Sequence, residues 1–98
     1  MPATAPTLIN PTLEDAHWHR AFRDEPYYRA GLDYRDYGPA FRVGYTAPMR
    51  RSGRFHELEG VLQEDWERVR GTSRLDWSEA RQAIEAAWDR VCPAAQPA

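Results

Sequence analysis

The sequence predicts an all-α fold, a small helical bundle of three main helices and one short helix. The main observation is a tetrad, Trp-x-Arg-(Ala/Val), which begins at Trp18, Trp66 and Trp88. The first and fourth positions of such a tetrad share one face of a helix, so each tetrad predicts a buried Trp beside a small apolar residue. The chain of 98 residues is long enough for one domain with a modest core. We therefore expect three helices that meet at one aromatic centre.

The first helix is predicted over residues 11–24. Asn10 is a favoured N-cap residue, and Pro11 suits the first helical position because its missing N–H would have no partner there. Pro26 disfavours helical backbone at the residue before it, which ends the helix. The segment 26–38 that follows lacks the alternation of a half-buried strand, so a loop is expected there.

A short second helix is predicted over residues 39–47. Pro39 begins it, with Asp36 or Gly38 as the cap, and Pro48 ends it.

An earlier start of this second helix is also open, because four aromatic residues have a helix-compatible spacing: Tyr34, Tyr37, Phe41 and Tyr45. Gly44 inside the helix costs about 1 kcal/mol relative to Ala. We therefore expect packing against the rest of the fold, and not helix propensity, to hold this segment.

The third helix is predicted over residues 55–70, after a basic linker at 49–54. Gly71 is well placed to end it as a C-cap. Its predicted buried stripe consists of Leu58, Val61, Leu62, Trp66 and Val69.

The fourth helix is predicted over residues 77–91. Asp76 and Glu79 have the spacing of a capping box at its start. The loop 71–76 that precedes it is short, and a short connection favours an antiparallel helical hairpin of the third and fourth helices. The buried stripe of the fourth helix is predicted to contain Trp77, Ala80, Ile84, Ala87, Trp88 and Val91.

The domain organisation follows from these elements. Residues 1–9, rich in Pro, Ala and Thr, are expected to form a flexible arm, residues 10–91 a single helical domain, and residues 92–98 a disordered tail. The first residues lack the charged start and apolar run of a secretory signal, and no window is apolar enough for a membrane span. A cytoplasmic location is therefore expected.

Composition favours an interaction protein. The four Trp, five Tyr and three Phe equal the six Leu, two Ile and four Val in number, and such an aromatic excess serves either a core or a partner surface. Charge is segregated, with a net charge of +4 over residues 20–54 and −4 over residues 55–98. Such segregation can be satisfied within one fold or between copies, and the overall charge of −2 disfavours a dedicated nucleic-acid binder.

No enzyme, metal or cofactor chemistry is predicted. Cys92 is the single cysteine, which excludes an internal disulfide and a Cys-based zinc site. His17 and His19 lie within one turn of Glu14 and Asp15, but a competent metal site needs three or four ligands, so solvated side chains are the favoured interpretation. Nucleophile motifs and phosphate-binding glycine loops are absent, and the chain has no Lys for Schiff-base chemistry.

The best functional candidate is a segment at 27–45 in which tyrosines alternate with arginines. Three interpretations are open: packing of the rings over the core with the Arg stems covering them, a surface for a protein partner, or stacking of single-stranded nucleic-acid bases. Asp33 and Asp36 within the segment weaken the last. The candidate partner-binding residues are Tyr27, Tyr28, Arg29, Tyr34, Arg35, Tyr37, Arg42 and Tyr45.

The chain resembles a group of small, uncharacterised bacterial proteins. The resemblance covers residues 14–91, and no functional residue can be carried over from it. It implies, for function, a link to bacterial stress adaptation. The matching residues are Glu14-Asp15, Trp18-x-Arg20, Pro26-Tyr27, Tyr34-x-x-Tyr37-x-Pro39-Ala40-Phe41-Arg42-x-Gly44, Asp65-Trp66, Arg70-Gly71-x-Ser73-x-Leu75-x-Trp77 and Ala83 through Ala87-Trp88-x-Arg90-Val91.

The predicted function is therefore a non-enzymatic interaction or accessory protein with a stress-related role. It is expected to associate with itself or to be a subunit of a larger assembly. The alternative is binding of an anion or of single-stranded nucleic acid through the segment 27–45.

Overall fold

The computed structural model describes residues 9–92, and the predicted all-α class is confirmed, with no β-strand in that range. Two short 3₁₀ turns follow the first helix and precede the third. Most of the predicted arm, at 1–8, and tail, at 93–98, lies outside the described residues. The four α-helices are α1 (Pro11–Ala21), α2 (Tyr34–Arg50), α3 (Glu59–Val69) and α4 (Trp77–Val91).

Helix α1 begins as predicted. The side chain of Asn10 accepts hydrogen bonds from the backbone N–H groups of Thr12, at 3.0 Å, and Leu13, at 3.2 Å. The α-helix ends at Ala21, and a 3₁₀ turn, Phe22–Asp24, continues to the end of the predicted segment.

Helix α2 is longer than predicted, with 17 residues, and its cap is Asp33, not Asp36 or Gly38. The Asp33 carboxylate accepts a hydrogen bond from the Arg35 N–H at 2.9 Å. In return, the Asp36 carboxylate accepts one from the Asp33 N–H at 3.0 Å, which completes a capping box. The earlier start that the aromatic spacing left open is therefore the observed one.

Two prolines lie inside α2, and Pro48 does not end the helix as predicted. Pro39 and Pro48 each lack the N–H that would bind the carbonyl four residues earlier, so each weakens the helix. The helix nevertheless continues to Arg50, and the N–H of Arg51 donates to the carbonyl of Ala47 at 2.8 Å. Burial of nine of the 17 residues of α2, among them three aromatic side chains, outweighs the two missing bonds.

The packing of α2 on α4 is the largest helix contact in the fold. Gly44 lies at the crossing point, where an added Cβ would overlap the carbonyl oxygen of Ile84 and the Cβ of Ala87. Only a glycine lets the two backbones approach this closely. This contact explains why α2 contains a helix-weakening residue, in agreement with the expected role of packing.

Helix α3 begins later than predicted. Residues Phe55–Glu57 form a 3₁₀ turn, and the α-helix starts at Glu59, after Leu58. The turn is held because the Glu57 carboxylate accepts a hydrogen bond from the Arg54 N–H at 2.8 Å, while Phe55 is buried.

The contacts between α3 and α4 follow the order expected for two antiparallel helices. The start of the α3 region lies beside the end of α4, and the end of α3 lies beside the start of α4. The contacts are Phe55 with Trp88 (ring centroids 5.7 Å apart), Glu59 with Arg81 (2.7 Å) and Trp66 with Trp77 (ring centroids 6.0 Å apart).

The three tetrad tryptophans are buried in one core cluster, as expected for helices that meet at one aromatic centre. Each pairs with a different ring along a continuous core, and Trp18 stacks on Phe41 with the ring centroids 4.4 Å apart. The other two pair with Trp77 and Phe55 instead.

The fourth residue of the second tetrad, Val69, was predicted to be buried and is 46% exposed. Val69 is the last residue of α3, and the chain turns at Gly71, so no further helical turn follows to cover it.

Candidate functional site

The tyrosines of the segment 27–45 belong to the core. Tyr37 and Tyr45 are fully buried, and Tyr27, Tyr28 and Tyr34 are half-buried against the core cluster. The rings therefore pack over the core, which is one of the three interpretations that the sequence leaves open.

Hydrogen bonds hold three of these tyrosine side chains in place. The Tyr34 hydroxyl donates to the Asp15 carboxylate at 2.8 Å, which ties α2 to α1. The Tyr37 hydroxyl accepts from the Arg29 N–H at 2.8 Å, and the Tyr28 hydroxyl donates to a backbone carbonyl at 3.1 Å. Burial is the main cause that raises the pKa of Tyr34 above its usual range.

The arginines of the segment do not form one surface. Arg29 binds the Glu79 carboxylate on α4 with two hydrogen bonds, of 2.8 and 3.3 Å. Arg35 lies 3.5 Å from its neighbour Asp33. Arg42 is exposed and forms no ion pair within residues 9–92. Of the eight predicted site residues, Arg42 alone is a charged group without an acidic partner in the described part of the chain.

Arg42 lies on the rim of a cleft between the C-terminal half of α2 and the C-terminal half of α3. The cleft has a volume of about 260 Å³. We call this feature the α2–α3 cleft, and it is lined by Arg42, Val43, Thr46, Ala47, Met49, Arg50, Asp65, Arg68 and Val69.

The surface of the α2–α3 cleft is mainly apolar. Val43 and Ala47 are buried, whereas Met49 and Val69 are 49% and 46% exposed. The described residues 9–92 contain only three such exposed large apolar side chains, and the third, Leu13, lies on α1. Two of the three thus line one cleft, and contiguous exposed apolar surface is a mark of interaction sites.

The charge of the lining is positive, with three arginines and one aspartate. Asp65 is already neutralised: its carboxylate accepts hydrogen bonds from Arg51 at 2.9 to 3.1 Å and a further one from Arg68. Burial raises the pKa of Asp65, but the hydrogen bonds from both guanidinium groups outweigh burial and hold that pKa below its usual range. Arg50, like Arg42, has no ion-pair partner in the described part of the chain.

The histidines are more engaged with the fold than the predicted solvated face implies. His19 stacks on Tyr34 with ring centroids 4.3 Å apart, and His17 packs edge-on against Trp18. Burial is the main cause that lowers the pKa of His17.

The acidic residues near these histidines are occupied, since Arg90 binds Glu14 at 2.9 Å and Tyr34 binds Asp15. No group of three or more His, Cys, Asp or Glu side chains within residues 9–92 is placed to hold a metal ion. The same range contains no helix that is both long enough and apolar enough to span a membrane.

No family model, curated protein or solved structure matches this chain. The geometry of the described residues is therefore what a functional proposal has to rest on.

Sequence reasoning missed most of the α2–α3 cleft. Periodicity predicts Val69 in the buried stripe and Met49 and Arg50 in a basic linker, whereas Val69 is half-exposed and Met49 and Arg50 form the last turn of α2. The sequence feature that could have indicated the site is the change from apolar to basic residues at 49–54, beside a helix end. Periodicity alone did not place that segment opposite the end of α3.

Proposed function

We propose that this protein is a non-enzymatic interaction or accessory protein that binds an apolar segment of another polypeptide in the α2–α3 cleft. The observation that carries the proposal is the composition of the cleft lining. Met49 and Val69 are half-exposed there. Arg42 and Arg50 lie in the same lining and have no acidic partner among the described residues. Apolar side chains beside arginines are the composition that protein interfaces favour.

The size of the cleft supports a polypeptide ligand. A volume of about 260 Å³ accommodates one or two large apolar side chains. Sites for small molecules enclose most of the ligand, whereas this cleft is partly open to solvent. A pocket of this size at the centre of a wider contact is the usual setting of an interface hot spot.

Charge favours a different protein over a second copy of this chain at the cleft. A two-fold dimer that joined two α2–α3 clefts would place Arg42, Arg50 and Arg68 of one copy against the same residues of the other. Like charges facing each other across an interface oppose association. We therefore favour a subunit of a larger assembly; the stress-related role implied by the resemblance stays a prediction.

The alternative, nucleic-acid binding through the segment 27–45, has less support. Two of its five tyrosines are fully buried and the other three are half-buried against the core, whereas stacking of bases needs exposed rings. Of its arginines, Arg29 is held by Glu79 and Arg35 lies beside Asp33.

Site-specific photo-crosslinking in the native host tests the proposal. A photo-reactive amino acid at position 69 should give a discrete covalent adduct with another polypeptide. The same amino acid at position 13 is the matched control, because Leu13 is also an exposed large apolar residue but lies on α1, away from the cleft. Absence of an adduct at position 69, or the same adduct from both positions, would contradict the proposal.

A further inference from the structure

We infer that the ligand of the α2–α3 cleft is an acidic amphipathic helix, with carboxylates that meet Arg42 and Arg50 and apolar side chains between them. This inference rests on the proposed function and adds the chemistry of the partner. Three features of the cleft support it: the positive charge of the rim, the spacing along α2 of the two arginines that have no acidic partner among the described residues, and the lack of hydrogen-bond donors on the floor.

The charge of the rim requires a negative partner. Asp65 already binds Arg51 and Arg68, so it offers little attraction to an incoming cation. Arg42 and Arg50 remain without a carboxylate in the described part of the chain. A guanidinium group that loses water on complex formation needs a carboxylate in return, and its planar fork suits that group well.

The spacing of the two arginines that have no acidic partner among the described residues fits a helix. Arg42 and Arg50 are eight residues apart on α2, so a rise of 1.5 Å per residue separates them by about 12 Å along the axis. Two carboxylates seven or eight residues apart on a partner helix span about 10.5 to 12 Å and lie on one side of it. The residues three and four positions after the first carboxylate then lie between the two, facing the same surface.

The floor of the cleft calls for apolar side chains. Thr46 has the only hydroxyl group in the lining, and it already donates to the backbone carbonyl of Arg42 at 2.6 Å. Val43 and Ala47 offer no polar side-chain atoms, and the Thr46 hydroxyl has no second proton to donate, so an inserted acceptor group would find no hydrogen-bond donor on this floor. An amphipathic helix laid into a groove between two helices is a recurrent mode of recognition that meets these demands.

Binding of synthetic helical peptides to the whole protein tests the inference. The first probe is a fluorescein-labelled helical peptide with two glutamates seven residues apart and two leucines between them. The second replaces both glutamates with lysine, and the third replaces both leucines with glutamine. Fluorescence anisotropy at low and at raised salt should show that the first peptide binds at least tenfold more tightly than either of the others, with salt weakening the binding.

Charge-reversal variants identify the site. Arg42→Glu and Arg50→Glu should weaken the glutamate peptide at least tenfold and improve binding of the lysine peptide. Arg35→Glu is the matched control, since Arg35 is also an exposed arginine of α2 but lies outside the cleft, and it should leave both affinities unchanged. Val69→Glu should abolish binding of the first peptide, whereas Leu13→Glu should not. Circular dichroism establishes that each variant is folded.

Other outcomes separate this inference from the proposed function. If the glutamate and lysine peptides bind equally well, and Val69→Glu binds neither, the partner is not required to be acidic. The cleft would then still be an apolar docking site. Binding of no peptide would overturn the inference, and the crosslinking at position 69 would decide separately whether the cleft is an interface. If decanoate binds and no peptide does, and if Arg42→Glu, Arg50→Glu and Val69→Glu remove decanoate binding, the cleft is a site for a small amphiphile. The inference of a helical partner is then wrong.

Discussion

The carboxylate of Asp36 on α2 accepts hydrogen bonds from Arg74 in the loop before α4, at 2.9 Å from the backbone N–H and at 3.1 and 2.8 Å from the guanidinium. Asp36 is 2% exposed, and its own carbonyl accepts a further hydrogen bond from the Ser73 hydroxyl at 2.6 Å. The side chain that completes the capping box of α2 thus also fixes the start of α4 against it.

The ion pair between Asp36 and Arg74 makes the free energy of unfolding depend on pH. The hydrogen bonds from Arg74 hold the pKa of Asp36 well below its usual range, although burial opposes them. A depressed pKa in the folded state contributes stability that is complete above the unfolded value of about 4 and is lost as the pH falls below it. Urea unfolding between pH 7 and pH 2 should show this loss in the natural protein and much less of it in Asp36→Asn. At pH 7 the variant should be less stable by roughly 2 kcal/mol, because the hydrogen bonds to the charged carboxylate are lost while the guanidinium of Arg74 is exposed to water.

Asp24→Asn is the control for this experiment, because Asp24 is exposed and forms no ion pair in the described part of the chain. An equal loss of acid stability in both variants would contradict the role given to Asp36.

Gly44→Ala should destabilise the protein although alanine is the better helix former. The added methyl group would overlap the backbone of α4 at Ile84, so the two helices would have to separate. We expect a net loss of about 2 kcal/mol in the free energy of unfolding. Gly60→Ala is the matched control: a Cβ there meets nothing within 4 Å, so that variant should be more stable by up to about 1 kcal/mol. Thermal unfolding followed by circular dichroism measures both, and a stabilised Gly44→Ala would refute the close approach of α2 and α4.

Tyr34→Phe should cost about 1 kcal/mol of stability, because it removes the hydrogen bond to Asp15 and leaves the ring packing intact. Denaturant unfolding gives the value. If the ring serves the core, peptide binding at the α2–α3 cleft should not change in this variant. A variant of unchanged stability that lost binding would instead place Tyr34 in a partner surface.

The purified protein should be a monomer at neutral pH. The repulsion between two copies of the arginine rim opposes a two-fold dimer through the cleft. Multi-angle light scattering at high concentration and low salt should therefore report a mass near 11.3 kDa. A dimer that dissociates in Val69→Glu would show instead that a second copy occupies the cleft.

The parts of the fold that local chemistry controls could be predicted from the sequence. Helix α4 has the predicted bounds because Asp76 and Glu79 form the expected capping box, with the Asp76 carboxylate 2.9 Å from the Glu79 N–H. Helix α2 could not be predicted in the same way, since Pro48 favours an end that tertiary packing overrides.

The candidate site was harder to predict for a related reason. Periodicity indicates which face of α3 carries Val69, but it does not tell where the neighbouring helix stops covering that face. The spacing of Tyr37 and Tyr45 is likewise the same whether their rings face the core or a partner. Only the placement of α2 between the other helices decides these cases.

The two prolines and two glycines of α2 also bear on how the chain folds. A segment of this composition has little tendency to form a helix alone, whereas α4 contains no proline or glycine and has four alanines. We therefore expect α2, the central helix of the fold, to form late and only as it docks on α4. Since these partners are separated by the whole of α3 in the chain, closure of that long loop should limit the folding rate, and substitutions that weaken α4 should slow folding more than those that weaken α1.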